Sequence, residues 1–264
     1  MLSRSTKVIY SFLNFIGFLA VVFVNALAVL LPINNRTTQE LSDKYPNLFV
    51  PAGITFSIWG IIYILLLLFV VYQFVVAFRK ASDEKGIFEK IGILFFISCI
   101  FNVAWILAWH YEIVWLSLII MALLLISLIT IYIRLGTGRP GIRNTEKIFV
   151  NIAFSVYLGW ITIATIANAT AFLVKINWNK FGISDQLWTV IVIAVGVLIT
   201  LITLFSRNDI FYCFVVIWAL VGILLKRMAD NSMPDQSVII ASIAGISIIG
   251  LGIILQLIRK KKIY

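Results

Sequence analysis

The sequence predicts an all-α polytopic membrane protein with about eight transmembrane helices. Its 264 residues are 62% hydrophobic and 12% charged, with a mean hydropathy of +1.08, and this composition excludes a soluble domain with a polar surface. About 20 apolar residues cross the hydrocarbon core of a bilayer as a helix. The apolar runs do not alternate polar and apolar residues, as the strands of a membrane β-barrel would. The predicted spans are 8–32, 51–77, 91–109, 113–133, 148–174, 186–205, 210–226 and 237–258.

The first run is predicted to be a retained helix. Arg4 and Lys7 precede it and Ala26-Leu27-Ala28 resembles a cleavage site, but its apolar stretch is longer than that of a typical signal peptide. Most of the 21 lysines and arginines lie in connections on the N-terminal side of the membrane, so the positive-inside rule places both termini in the cytoplasm. We read the net charge of +10 as this topology signal and as attraction to membrane lipid, not as nucleic-acid binding.

The second to fifth helices are set by breaks between the apolar runs. Pro51 and Gly53 interrupt the chain just before the second helix. Only His110-Tyr111-Glu112 separates the third helix from the fourth, which makes those two helices antiparallel neighbours. A basic connection rich in glycine, residues 134–147, precedes the fifth helix.

The last three helices carry far fewer polar or aromatic residues in their interiors. We therefore predict a five-helix transmembrane module over residues 1–175 and a three-helix extension over residues 176–264. Ala241 and Gly245 in the eighth helix form a pair of small residues four apart that lets another helix approach closely. We interpret the pair as intramolecular packing, with a homodimer face as the alternative.

Uncharged polar and aromatic residues recur at helical spacing inside the first five helices. An indole N–H or an amide in hydrocarbon needs a partner, so these faces should meet one another or a cavity. Periodicity alone leaves open whether they form a ligand pocket or an aromatic packing core. On helix one, Asn14, Gly17 and Asn25 predict interhelical hydrogen bonds. The candidate site residues are Phe56, Trp59 and Tyr63 on helix two, Asn102, Trp105 and Trp109 on helix three, and Tyr157, Trp160 and Asn168 on helix five.

Ionisable residues are missing from the interiors of the predicted spans. Every acidic residue falls in a connection or at a helix end, which weighs against a proton-coupled transporter or an ion pump. His110 is the only histidine and has no cluster of metal ligands around it, so we expect an interfacial residue that caps a tight turn. We predict no catalytic residue, no metal and no enzyme activity.

Three motifs resemble the TspO/MBR family, the translocator proteins or tryptophan-rich sensory proteins. They are FVPAGITFSIWGIIY, FNVAWILAW and VYLGWITIATIAN, in the family's order and with its internal spacing, and the resemblance covers about residues 8–174. The chain departs from the family pattern at Ala52 and Gly53, where aromatic residues are common, and in its three additional helices. The matching residues are Pro51, Trp59, Gly60, Tyr63, Asn102, Trp105, Tyr157, Trp160, Ala164, Thr165 and Asn168.

The resemblance implies a pocket open toward the connection between helices one and two and lined by helices two, three and five. It implies a membrane-embedded binding protein for flat lipophilic ligands, a porphyrin or other tetrapyrrole or a sterol-like molecule, that acts as sensor, carrier or regulator. No cofactor is expected beyond porphyrin as a ligand. The alternative is a transporter for a neutral or lipid-like solute. We expect an integral protein of a bacterial plasma membrane.

Overall fold

Helices make up almost all of the computed structural model, which describes residues 2–31, 33–78, 86–229 and 235–261. Within these ranges there is no β-strand. Seven helices are long and apolar enough to cross a membrane, and Leu94–His110 is a shorter apolar helix, which confirms the all-α polytopic prediction. The helices are α1 Arg4–Leu30, α2 Thr38–Lys44, α3 Ile58–Phe78, α4 Ile87–Ile91, α5 Leu94–His110, α6 Val114–Leu135, α7 Asn144–Lys175, α8 Asp185–Arg207, α9 Ile210–Ala229 and α10 Gln236–Lys261.

The helix boundaries differ from the predicted spans where polar residues continue a helix beyond its apolar part. Helix α7 begins at Asn144 rather than at 148, and it passes through a wider π-type turn at Lys147–Asn151. Helix α3 begins later than predicted, because residues Gly53–Ser57 form a 3-10 turn instead of the first turns of an α-helix. Hydropathy therefore located the spans but not their ends.

The first five long helices pack as a bundle around aromatic side chains. The hairpin α5–α6 and the pair α6–α7 are antiparallel neighbours, as predicted for α5 and α6, and α1 lies against α3 and α5. Fully buried Phe69, Phe95 and Phe154 come from three different helices, with ring centroids 5.0–5.8 Å apart in edge-to-face geometry. This cluster fixes the centre of the bundle.

Helix α9 connects the last three helices to the first five near the start of α3. It packs along α7, while α8 and α10 pack on it and on each other. The indole N–H of Trp218 donates to the Thr55 carbonyl at 2.9 Å, and the Ala52 N–H donates to the Gly222 carbonyl at 2.9 Å. The division into residues 1–175 and 176–264 stays a prediction, and the two parts share these buried hydrogen bonds.

At the opposite end of α9, Asp209 makes a second connection. It lies between α8 and α9, as predicted for an acidic residue, but only 4% of it is exposed. Its carboxylate accepts from the Tyr132 hydroxyl at 2.8 Å and from the Ser155 hydroxyl at 2.6 Å. The backbone N–H groups of Phe211 and Tyr212 also donate to it. These donors satisfy a carboxylate that the protein interior would otherwise disfavour.

The small residues of α10 pack inside the chain. A Cβ atom added to Gly245 would lie 2.9 Å from Val197 and 3.0 Å from Leu220, which belong to α8 and α9. This contact confirms intramolecular packing at Gly245. A homodimer stays a prediction.

We expect Gly222→Ala to destabilise the protein and Gly250→Ala to leave its stability unchanged or slightly higher. A Cβ atom at Gly222 would lie 1.9 Å from the Thr55 hydroxyl oxygen, and Thr55 is fully buried, whereas a Cβ atom at Gly250 meets nothing within 4 Å. Overpacking of this kind costs about 1–3 kcal/mol. Thermal unfolding followed by circular dichroism in detergent measures the difference, and equal midpoints for the two variants would contradict the contact between α9 and Thr55.

Candidate ligand pocket

A narrow pocket opens at the end of the bundle where residues 33–57 connect α1 to α3. The pocket lies between α2, the 3-10 turn before α3, and helices α3, α5 and α7. Its lining is mostly aromatic and aliphatic. The lining residues are Thr38, Ser42, Pro51, Phe56, Trp59, Trp105, Trp109, Trp160, Ile163, Ala164, Ala167 and Asn168.

The structure brings the nine predicted site residues together in two layers. Phe56, Trp59, Trp105, Trp109, Trp160 and Asn168 line the pocket itself. Tyr63, Asn102 and Tyr157 lie behind them, one helical turn deeper in the bundle, and do not line the pocket. The Asn102 amide donates to the Tyr157 hydroxyl at 3.0 Å, so these two residues support the wall rather than form it.

Trp59 occupies the centre of the aromatic cluster. Its ring stacks on Tyr63, with centroids 5.6 Å apart, and lies nearly parallel to Trp105 at 6.5 Å. Tyr157 and Trp160 meet it edge-on at 6.2 and 6.3 Å. The helical spacing of the aromatic residues therefore produces one continuous cluster across three helices.

Three buried indole N–H groups in the pocket wall have no hydrogen-bond acceptor among the described residues. They belong to Trp105, Trp109 and Trp160, whose side chains are 6%, 5% and 3% exposed. A buried donor without an acceptor costs about 1–3 kcal/mol. The wall thus contains donors that an acceptor group in the pocket would satisfy.

The pocket is small. It encloses about 50 Å³, whereas sites for drug-sized molecules usually enclose about 300–1,000 Å³. The aromatic rings fill most of the space between the helices. The arrangement is at once a pocket and an aromatic core, the two interpretations that periodicity left open, and a large ligand can enter only if part of the wall moves.

Residues 33–45 contribute Thr38 and Ser42 to the wall, and we call this segment the lid. It contains α2, which begins with a capping box. The Glu40 N–H donates to the Thr37 hydroxyl oxygen, and the Thr37 N–H donates to the Glu40 carboxylate. His110 holds the lid from below: its Nδ1 donates to the Ile33 carbonyl at 3.0 Å and its Nε2 pairs with the Thr38 hydroxyl at 3.1 Å. The His110 side chain is fully buried and joins two elements instead of capping its own turn.

Glu112 holds the outer side of the lid. Its carboxylate accepts from Lys44 and, at 3.2 Å, from Arg36, both on the lid, and from the Tyr45 hydroxyl at 3.3 Å. The Lys44 ammonium that donates to it, with Arg36 nearby, holds the pKa of the Glu112 carboxyl below its ordinary value. Burial and the adjacent Glu112 charge raise the pKa of Tyr45 to about 12. Lys226 of α9 pairs with Asp43, which ties the lid to the last three helices as well.

Amide side chains form interhelical hydrogen bonds below and beside the pocket, as predicted for helix one. Asn25 donates to Asn102 at 2.9 Å, and Asn14 donates to Gln73 of α3 at 3.0 Å. Asn168, a lining residue, donates to the Ser117 hydroxyl at 3.1 Å. Each of these amides thus makes at least one hydrogen bond inside the bundle. The Asn14 Oδ1 and Gln73 Nε2 atoms, like the three indole N–H groups, have no partner among the described residues.

The predicted spans did not include the lid. Thr37-Thr38-Gln39-Glu40 has the capping-box pattern that marks a helix start, and this signal would have located α2. Thr38 and Ser42 then follow as pocket residues, since they lie four apart on one face of α2. In the part of the chain that the structure describes, no group of three or more His, Cys, Asp or Glu residues could hold a metal ion.

Comparisons with known proteins give one match. The family model described as TSPO-like protein matches residues 11–255. Neither the curated proteins nor the solved structures contain a match to this chain. The matched range covers the three motifs and also includes α8, α9 and most of α10, so the last three helices belong to the pattern that the model describes. The chain is therefore a member of the TSPO-like protein family.

Proposed function

We propose that this protein binds a flat lipophilic ligand with hydrogen-bond acceptors, a tetrapyrrole before a sterol-like molecule, and acts as sensor, carrier or regulator. Membership of the TSPO-like family supports a ligand-binding or sensor-type role in the membrane in general. The observation that carries the finer proposal is the set of three buried indole donors without acceptors around one aromatic pocket. We propose no catalytic step.

The shape of the ligand follows from the rings that it has to replace. Trp105 lies nearly parallel to both Trp59 and Trp109, with centroids 6.5 Å apart in each pair. A flat conjugated molecule that slides against these faces exchanges ring–ring contacts for contacts of the same kind, so the aromatic packing energy is largely kept. Acceptor atoms at its edge would in addition pair with the indole N–H groups.

Entry requires the lid to move, because the closed pocket encloses only about 50 Å³. Arg36 and Lys44 are both held by Glu112 when the lid is closed. A carboxylate on the ligand would replace Glu112 as their partner, which exchanges one ion pair for another. A sterol hydroxyl offers no such exchange, and this is why we place a tetrapyrrole with carboxylate side chains first.

We expect Trp160→Phe to weaken the binding of protoporphyrin IX about fivefold to tenfold, because it keeps a smaller aromatic ring but removes an N–H donor that contributes about 1–1.5 kcal/mol. The control is Trp115→Phe, since Trp115 is 56% exposed and does not line the pocket. A Soret-band absorbance titration in detergent measures both. Equal dissociation constants for wild type and both variants would reject the pocket as the porphyrin site.

The transporter alternative makes a separate prediction. A transporter would exchange a bound solute across proteoliposomes, whereas a sensor or regulator would bind it without counterflow. Accelerated counterflow of a neutral or lipid-like solute, reduced in Trp160→Phe and kept in Trp115→Phe, would favour transport.

We expect Glu112→Gln to loosen the lid. The variant removes the charge that holds Lys44 and Arg36, so amide hydrogen exchange over residues 37–44 should rise roughly two- to fivefold, the size of an exposed ion pair. Asp185→Asn is the control, because Asp185 pairs with Lys180 at the same end of the bundle but away from the lid. Unchanged protection in Glu112→Gln would contradict the lid model.

The same pair predicts a pH dependence of fixed sign. The pKa of Glu112 is lowered in the closed state, so its contribution to closure is complete above the ordinary carboxyl pKa and is lost as the pH falls through the lowered value. Lid protection, corrected for intrinsic exchange, should therefore fall in wild type below about pH 4.3. The loss should be smaller in Glu112→Gln, where Glu40 of the capping box still titrates, because hydrogen bonds from Thr37 lower its pKa as well. Equal losses in both proteins would assign the effect to another group.

A further inference from the structure

An open cavity of about 510 Å³ lies at the end of the bundle opposite the lid, which we call the basic end. It is bounded by the end of α6, the connection 136–143 and the start of α7, with Lys90 of α4 at one side. No feature of the proposed function uses it. Its lining residues are Lys90, Arg134, Leu135, Gly136, Arg139, Pro140, Gly141, Ile142, Arg143 and Glu146.

The described residues that line this cavity carry more positive than negative charge. Its one carboxylate, Glu146, is buried and already paired with Lys90, whose Nζ lies 2.6 Å from it. Arg134, Arg139 and Arg143 have no salt bridge and no side-chain hydrogen bond with any residue of the described ranges. Three guanidinium groups thus face one cavity without a counter-charge from these ranges.

The connection that brings the arginines together is tightly folded. Gly136, Gly138 and Gly141 all adopt positive φ, between 70° and 84°, a conformation that glycine permits and other residues rarely adopt. A Cβ atom on Gly138 would lie 1.3 Å from the Arg207 carbonyl oxygen, so the connection is pressed against the end of α8. Buried Thr137 accepts from buried Asn151 of α7 at 3.1 Å. The arginines therefore project from a fixed scaffold.

We propose that this cavity binds a phosphate-bearing anion. Each arginine presents a planar fork that pairs with two phosphate oxygens, and three of them around one volume match a tetrahedral anion better than a planar carboxylate. The volume exceeds that of a single phosphate group and leaves room for a substituent on the anion. Arg134 lies in the last turn of membrane-spanning α6, which puts the cavity at the depth of lipid headgroups.

The phosphate can come from an anionic phospholipid or from a soluble phosphate ester, and the two are distinguished by titration. The full chain, delipidated in dodecylmaltoside, is titrated with dioleoylphosphatidylglycerol, with dioleoylphosphatidylcholine and with glycerol 3-phosphate. The shift of the thermal unfolding midpoint reports binding. Saturable stabilisation by phosphatidylglycerol alone identifies a lipid site, and stabilisation by glycerol 3-phosphate as well identifies a site for the phosphate ester itself.

The variants separate a built site from diffuse attraction. The double variant Arg139→Gln, Arg143→Gln should lose about tenfold or more in apparent affinity. The control, Arg4→Gln with Arg259→Gln, removes two arginines from the same end of the bundle that do not line the cavity, and should bind as wild type. Arg139→Lys with Arg143→Lys keeps the charge but loses the fork, so we expect an intermediate affinity and an intact fold.

Two results would overturn the proposal. The first is an equal loss of affinity in the glutamine double variant and its control, which would mean that only the net charge of this end matters. The second is stabilisation of wild type by phosphatidylcholine equal to that by phosphatidylglycerol, with none by glycerol 3-phosphate. Neither result would bear on the binding proposed for the aromatic pocket, which lies at the other end of the bundle.

Discussion

Hydrocarbon offers no hydrogen bonds, so each polar group that these helices carry into the membrane has to find its partner inside the bundle. This constraint orders most of the structure. Asn25, Asn102 and Tyr157 join α1, α5 and α7 in one chain of hydrogen bonds, and Asn168 of α7 pairs with Ser117 of α6. These bonds fix the rotation of each helix about its axis, because a helix turned by one residue would place its amide against lipid.

The same constraint makes the exceptions informative. The indole N–H groups of Trp105, Trp109 and Trp160 lie within a structure that satisfies nearby amides, yet they lack acceptors in the described ranges. Their unfavourable contribution is tolerated because aromatic packing around Trp59 stabilises the closed pocket. A ligand that keeps the aromatic packing and supplies acceptors to the indole N–H groups would be stabilised by both interactions.

The sequence predicted about eight apolar helices and the faces that meet, because hydropathy and helical spacing depend on local order along the chain. It placed all nine candidate residues near one another, but it could not separate the six that line the pocket from Tyr63, Asn102 and Tyr157 behind it. That separation depends on how far each helix is shifted along its neighbours. The burial of Asp209 was missed for a similar reason: its partners Tyr132 and Ser155 are 77 and 54 residues away along the chain. The lid was missed although its capping box was readable, because it lies outside the apolar runs.

The last three helices also supply hydrogen-bond partners for polar groups that lie inside the membrane. The 3-10 turn Gly53–Ser57 delays the start of α3, so backbone groups in and beside this turn lie in the bundle without a complete set of helical hydrogen bonds. Helix α9 satisfies them, through the Gly222 carbonyl and the Trp218 indole, and Gly222 has no side chain that would keep the two segments apart. Phe56 of that turn lines the pocket, and its position therefore depends on α9. The family match extends to residue 255 and so includes α9, the helix that makes these hydrogen bonds to the turn.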